Sequence, residues 1–257
     1  MIGVFDSGLG GLSVLAALVE TLPCADFSYY ADTAHVPYGN KTEEQIQCRV
    51  LAIGEHLARQ GCGLLVVACN TATAAAVQAL RAAHPGIPVV GVEPGIKPAA
   101  RETQSGRIAV LTTEATAGSQ RLKRLIRDHA GHVEVFVEPC PGWATQVEML
   151  CLDDPALAID VRVRVERLLD QGVDRIVLGC THYSFLTPLL QQTVGTRAEL
   201  VDVADAVARQ TRRLAAGLAD GAGRLHLRAS AHPERLRAAL PRLHLGHLAA
   251  RVSAAST

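Results

Sequence analysis

The feature that most restricts this chain is an alternation of short apolar runs with longer amphipathic stretches. Residues 2–5, 27–31, 63–68, 88–92, 108–111, 133–137, 175–178 and 199–203 read as strands, and 43–60, 72–84, 120–129, 155–171 and 204–219 as helices. Strands that are apolar throughout must be covered on both faces. Helices set between them supply that cover, so the pattern predicts an α/β fold with parallel sheets.

The order also repeats. "IGVFDSGLGG" at residue 2 answers "IAVLTTEATA" at 108, and "FSYYADT" at 27 answers "VEVFVEPC" at 133, both 106 residues apart. "LLVVACNTATA" answers "RIVLGCTHYSF", with Cys69 and Cys180 separated by 111. A steady offset predicts two similar lobes related by pseudo-symmetry, with a cleft between them. The link at 91–100, "GVEPGIKPAA", holds two prolines and two glycines and marks a crossing between lobes. The expected division is 1–93 plus 204–257 for the first lobe and 94–203 for the second. The helix from 204 then returns to the first lobe, and the tail "LHLRASAHPERLRAAL" completes it.

Composition removes several classes of function. Lys+Arg (25) equals Asp+Glu (25), so no net field draws the chain to nucleic acid or an anionic membrane. No apolar run approaches the ~18 residues of a membrane span. No basic segment precedes the first strand, so no secretory signal is expected. Seven cysteines with no CxxC pair argue for a reducing compartment and against a disulfide or zinc framework. The expectation is a cytoplasmic protein without a bound metal.

Two cysteines stand apart from the other five, which read as packing. Cys69 and Cys180 each follow an apolar strand and precede a helical segment. That places them at the carboxyl ends of parallel strands, where open α/β sheets bind ligands. A helix N-terminus there favours thiolate over thiol. Asn70, Thr71 and Thr181 can cap the helices or bind a carboxylate. Taken singly, either thiol reads as structural. As a matched pair facing across a cleft, they suit removal of a proton from one face of a carbon and its return to the other. Asp6, at the tip of the first strand, is then a partner for Cys69 or for a substrate ammonium. His182 is a partner for Cys180, since an imidazole near ~6.5 and a thiol near ~8.5 exchange protons at neutral pH.

With those residues in place, the chain resembles the cofactor-independent glutamate racemases of the aspartate/glutamate racemase superfamily over nearly its whole length. "FDSGLGGLSVL" matches the family opening with Asp6 and Ser7. "YADTAHVPYGNKT" matches its second motif with Asp32, Pro37, Tyr38 and Gly39. "VVACNTATA" carries Cys69, Asn70 and Thr71; "LTTEATAGS" carries Thr113 and Thr116; Glu148 matches a family glutamate; "LGCTHY" carries Cys180, Thr181 and His182. The resemblance implies interconversion of L- and D-glutamate without pyridoxal phosphate or metal. It assigns Cys69, Cys180, Asp6 and His182 to catalysis and the others to substrate binding. It also implies a homodimer and a supply of D-glutamate for peptidoglycan. Ser184, Arg121, the segment 142–146 and the residue after Asp202 depart from the family pattern. No extension precedes the first strand, so the activator site that some relatives carry there is not expected.

Four other readings are testable against these residues. Gly8, Gly10 and Ser13 form an imperfect dinucleotide fingerprint, with Asp32 placed as a ribose acid, but Asp6 would repel a pyrophosphate. A racemase or isomerase acting on aspartate, a hydantoin or maleate would share the thiol layout. A pyridoxal enzyme needs a Schiff-base lysine, and of Lys41, Lys97 and Lys123 only Lys41 lies near a motif. A non-catalytic binding module on the same fold would hold the ligand without exchanging its proton.

Overall fold

The computed structural model describes residues 1–253. The remaining four residues, which the sequence assigns to the first lobe, lie outside the described part. The strands are β1 (Ile2–Asp6), β2 (Phe27–Ala31), β3 (Leu64–Val67), β4 (Val89–Gly91), β5 (Arg107–Thr112), β6 (Glu134–Pro139), β7 (Arg175–Leu178), β8 (Glu199–Val201) and β9 (Leu225–Ala229). They form two sheets in which every pairing is parallel, one ordered β4-β3-β1-β2-β9 and the other β6-β5-β7-β8.

Read backwards, the second sheet runs β8-β7-β5-β6 and reproduces the first four positions of the first sheet. Registers correspond too: Ile2 pairs with Phe27 and Leu64, and Ile108 pairs with Val135 and Arg175. Gly61 and Gly172, again 111 residues apart, both have φ of +81°. Each ends the helix that precedes the cysteine-bearing strand, in the left-handed region that only glycine enters without a Cβ penalty. The repeat is therefore one of topology and of chain punctuation.

Local chemistry sets the helix limits. Thr42 Oγ1 accepts the Gln45 amide and Gln45 Oε1 accepts the Thr42 amide, a capping box that starts Glu43–Arg59. Asp154 caps Pro155–Asp170. The helix after β3 begins at Asn70, two residues before the sequence pattern suggests, because the Cys69 sulfur itself serves as the N-cap. The helix Ala204–Leu214 packs on Leu12–Thr21, which covers the first sheet, and gives way to a short turn at Ala215–Gly217, earlier than the expected 219.

The sequence pattern assigns no strand near β9. Its apolar signal is weak, with Leu225 buried and Arg228 exposed, as befits the sheet edge. It is ordered by parallel pairing with β2, from Phe27 against Leu225 to Ala31 against Ala229. Among the described residues, no helix is long and apolar enough to cross a membrane.

Ile176 sits in β7 with no exposed surface, while Ile159 lies on a helix at 54% exposure. Ile176→Ala is expected to cost about 2–5 kcal/mol of unfolding free energy, and Ile159→Ala less than about 0.5 kcal/mol. Urea titrations of the two variants measure the difference.

Candidate active site

β1 ends at Asp6, and residues 7–11 turn the chain into the helix Leu12–Thr21. Asp6 is 1% exposed. Its Oδ1 accepts the Gly8 amide at 2.7 Å and the Ser7 hydroxyl at 3.4 Å. Its Oδ2 accepts the Thr181 hydroxyl at 3.2 Å, from the far end of β7. Burial raises the Asp6 pKa above the usual carboxylate range, against the lowering influence of His182 and the Gly8 amide.

Cys69 leaves β3 as the N-cap of Asn70–Ala83. Its Sγ lies 3.4 Å from the Ala72 amide and 3.8 Å from Ser7 Oγ. Cys69, Ser7, Asp6 and Thr181 thus form one chain of contacts from the first sheet to the second. The helix N-terminus favours thiolate, but the Cys69 thiol is pushed well above its usual pKa, first by burial and next by Asp6. The magnitudes explain this outcome. A helix terminus is worth about 0.3–1 kcal/mol, up to ~2 in partly buried settings, whereas full burial shifts a group by as much as 3–5 pKa units, each worth ~1.36 kcal/mol.

Cys180 leaves β7 at the equivalent place. Its Sγ is 3.6 Å from His182 Nδ1, and His182 Nε2 is 2.6 Å from Glu148 Oε1. The same Glu148 oxygen accepts the Leu9 amide at 2.6 Å. Burial disfavours a charged His182 ring, but hydrogen bonds to Cys180 and Glu148 outweigh it and raise the pKa well above the ordinary histidine value. The glycines of the first loop now have a reason. A Cβ on Gly8 would stand 2.1 Å from Glu148 Oε1, and one on Gly10 would stand 2.4 Å from His182 Nδ1. The dinucleotide alternative fails on the same ground, because the Gly8 and Leu9 amides already serve Asp6 and Glu148.

The remaining residues form two groups. Thr71 Oγ1 lies 3.0 Å from Thr113 Oγ1 and 3.2 Å from Thr116 Oγ1, a hydroxyl cluster that spans the two sheets' helices. Beside it Asn70 is 4% exposed, and neither its Oδ1 nor its Nδ2 has a hydrogen-bond partner. Gly39 packs against the same cluster, since a Cβ there would meet Thr113 Cβ at 3.1 Å. The second group surrounds Asp32, which has no exposed surface. Its carboxylate accepts Arg49 Nε and Nη2, each at 2.9 Å, and the Tyr38 hydroxyl at 2.6 Å. Burial would raise the Asp32 pKa, but bonds from Arg49 and Tyr38 hold it below the usual range. Pro37 lines a cavity of about 260 Å³ with Leu9 and Glu148.

Sequence pattern alone leaves out Arg49, whose place on a helix face gives no sign of its partner 17 residues earlier. It also leaves out the link from His182 to Glu148, 34 residues apart, and the Ser13 hydroxyl, which donates to Gly10 and Thr181 carbonyls. Of the departures from the family pattern, Ser184 donates to Asp202 and Arg121 pairs with Glu93. In 142–146, Gly142 has φ of +83° and opens the helix Trp143–Glu148 that presents Glu148. Among the described residues, no group of three or more His, Cys, Asp or Glu side chains is arranged to hold a metal ion.

Comparison with known proteins places nearly the whole chain in one family. The model of the Asp/Glu/hydantoin racemase family matches residues 2–211. A glutamate racemase of Pseudomonas aeruginosa is 44% identical over 248 residues, covering 93% of this chain and 92% of the relative. The crystal structure of the glutamate racemase isoform RacE1 from Bacillus anthracis superposes with a TM-score of 0.85 at 30% identity, covering 94% and 92% of the two chains. That of the Escherichia coli glutamate racemase, in complex with L-glutamate and the activator UDP-MurNAc-Ala, superposes at 0.82 with 32% identity, covering 94% of each chain.

Arg49→Met leaves the Asp32 carboxylate buried without its cation and is expected to destabilise the fold by on the order of 3 kcal/mol at pH 7. Because the folded Asp32 pKa is depressed, the pair's contribution is present above the unfolded value of ~3.9 and fades as pH falls through the folded one. The gap in Tm between wild type and variant should therefore narrow below about pH 4. Gly10→Ala should displace the His182 ring, and NMR titration should show a His182 pKa closer to ~6.5 than in the wild type.

Proposed function

This chain belongs to the Asp/Glu/hydantoin racemase family and is an amino-acid racemase, an isomerase; from that premise we propose that it interconverts L- and D-glutamate by passing the α-proton between Cys69 and Cys180. One observation carries the proposal. The two thiols stand at the carboxyl ends of topologically equivalent strands, and consecutive hydrogen-bonding contacts run from Cys69 through Ser7 and Asp6 to Thr181, the residue that follows Cys180. Glutamate is the substrate favoured by relatives named glutamate racemase at 44% and 48% identity.

In one direction, the Cys69 thiolate takes the α-proton of D-glutamate, and the electron pair of the C–H bond spreads into the α-carboxylate. The Cys180 thiol then donates its proton to the opposite face, giving L-glutamate and a Cys180 thiolate. The reverse direction exchanges the roles. Asp6 receives the Cys69 proton through Ser7, and its raised pKa suits the task, since each unit of mismatch between donor and acceptor costs ~1.36 kcal/mol. His182, with Glu148 behind it, exchanges the proton of Cys180. The free amide of Asn70, the threonine hydroxyls at 71, 113 and 116, and the amides at the start of Asn70–Ala83 are the donors proposed for the substrate carboxylates. Ser7, Thr181, Pro37, Tyr38 and Gly39 complete the proposed binding surface. Asp32 acts on it through Tyr38, and Glu148 acts through His182.

The wider setting belongs to the same proposal. The division into 1–93 with 204–257 and 94–203 makes the site an inter-lobe cleft that opens for substrate. All seven cysteines are unpaired, which supports a reducing, cytoplasmic setting. There a homodimer would supply D-glutamate to peptidoglycan synthesis.

A chiral assay of L-glutamate in deuterium oxide, with no added cofactor, should yield D-glutamate carrying α-deuterium. Cys69→Ala and Cys180→Ala should each lower turnover by at least about a hundredfold. Inversion without deuterium, or either variant at the wild-type rate, would refute the two-thiol route.

A further inference from the structure

Cys69 and Cys180 are each 6% exposed, so a substrate must reach them through some opening in the closed molecule. A cavity of about 320 Å³ abuts the hydroxyl cluster from outside and is the place where Thr71 meets a surface recess. Its walls come from both halves of the repeat, residues 41–46 and 71–75 on one side and 115–124 on the other. Across this seam the turn Tyr38–Asn40 packs on the short helix Glu114–Gly118.

Charge distinguishes this recess in a chain that is neutral overall. Lys41, Arg121 and Arg124 line it, and Glu43 is the one acidic residue among them. Among the described residues, Lys41 and Arg124 have no acidic partner within salt-bridge distance. Arg121 pairs with Glu93, but its Nε is buried without a partner. The amino end of the helix Gln120–Ala130 adds its partial positive charge at the same rim. A positive recess with low-dielectric walls raises the local concentration of an anion, and the effect falls as salt shortens the Debye length from ~10 Å at 0.1 M to ~3 Å at 1 M.

We propose that this recess is the entry vestibule for the anionic amino acid, with Lys41 and Arg124 as steering residues and the Thr71–Thr113–Thr116 cluster as the inner gate. The inference rests on the proposed amino-acid substrate. Neither steering side chain touches the reacting carbon, so they act on capture and not on proton transfer.

The test is steady-state kinetics with L- and D-glutamate at several NaCl concentrations, for the wild type and for the double variant Lys41→Gln, Arg124→Gln. At low salt the double variant should lose about tenfold in kcat/KM through a higher KM, with kcat retained and a flatter salt dependence. Ala75→Trp, one turn beyond Thr71 on the recess wall, should lower kcat/KM in both directions while circular dichroism and Tm show a folded protein. Wild-type kcat/KM and salt dependence in the double variant, or unhindered turnover in folded Ala75→Trp, would overturn the vestibule. A wild type with no activity on glutamate would instead refute the substrate reading.

Discussion

Gly8 and Gly10 leave no side chain between the end of β1 and the Glu148–His182 pair delivered by the second sheet. That close approach is the constraint on which the closed site depends. With it, Glu148 bridges the Leu9 amide and the His182 ring, and Thr181 reaches Asp6. The seam between the sheets is then made of the same groups that do the proposed chemistry. A separation of the two sheets at this seam would break these bonds, so in the proposed mechanism access to the thiols and integrity of the proton relay are coupled.

Burial has a further consequence. It raises Asp6 and Cys69 together, keeping both closer to the protonated form than they would be in water. A thiolate generated in such a place is a stronger base than a solvated one. In the proposed mechanism the thiol's proton leaves by neighbours already in contact, Ser7 and then Asp6. Around Asp32 the balance goes the other way. Two guanidinium contacts and a phenol outweigh burial, and the carboxylate stays charged to anchor the turn at Pro37–Gly39.

Much of the fold was legible because its signals are local. Apolar runs of four to six residues and the amphipathic stretches between them depend on neighbours a few positions away. The repeat was legible because matching strand motifs, ending with those that carry Cys69 and Cys180, recur 106 to 111 residues apart. β9 was not, since an edge strand with alternating polarity is ordered by its partner β2 rather than by its own composition. The site was legible in its motifs but not in its wiring. Glu148 matches a family position, yet nothing in "GWATQVE" indicates that its carboxylate meets an imidazole.

By itself, the sequence determined the parallel α/β architecture, its two-fold repetition and the placing of a thiol at the end of one strand in each half. Periodicity, capping and strand-end chemistry are properties of a short stretch of chain. Only the tertiary structure decided which groups meet across the seam: Asp6 with Thr181, His182 with Glu148 and Leu9, Thr71 with Thr113 and Thr116, Asp32 with Arg49. It also decided that the Cys69 thiol is raised rather than lowered. Contacts and desolvation arise from how packed bodies fit together, and no window of residues contains that information.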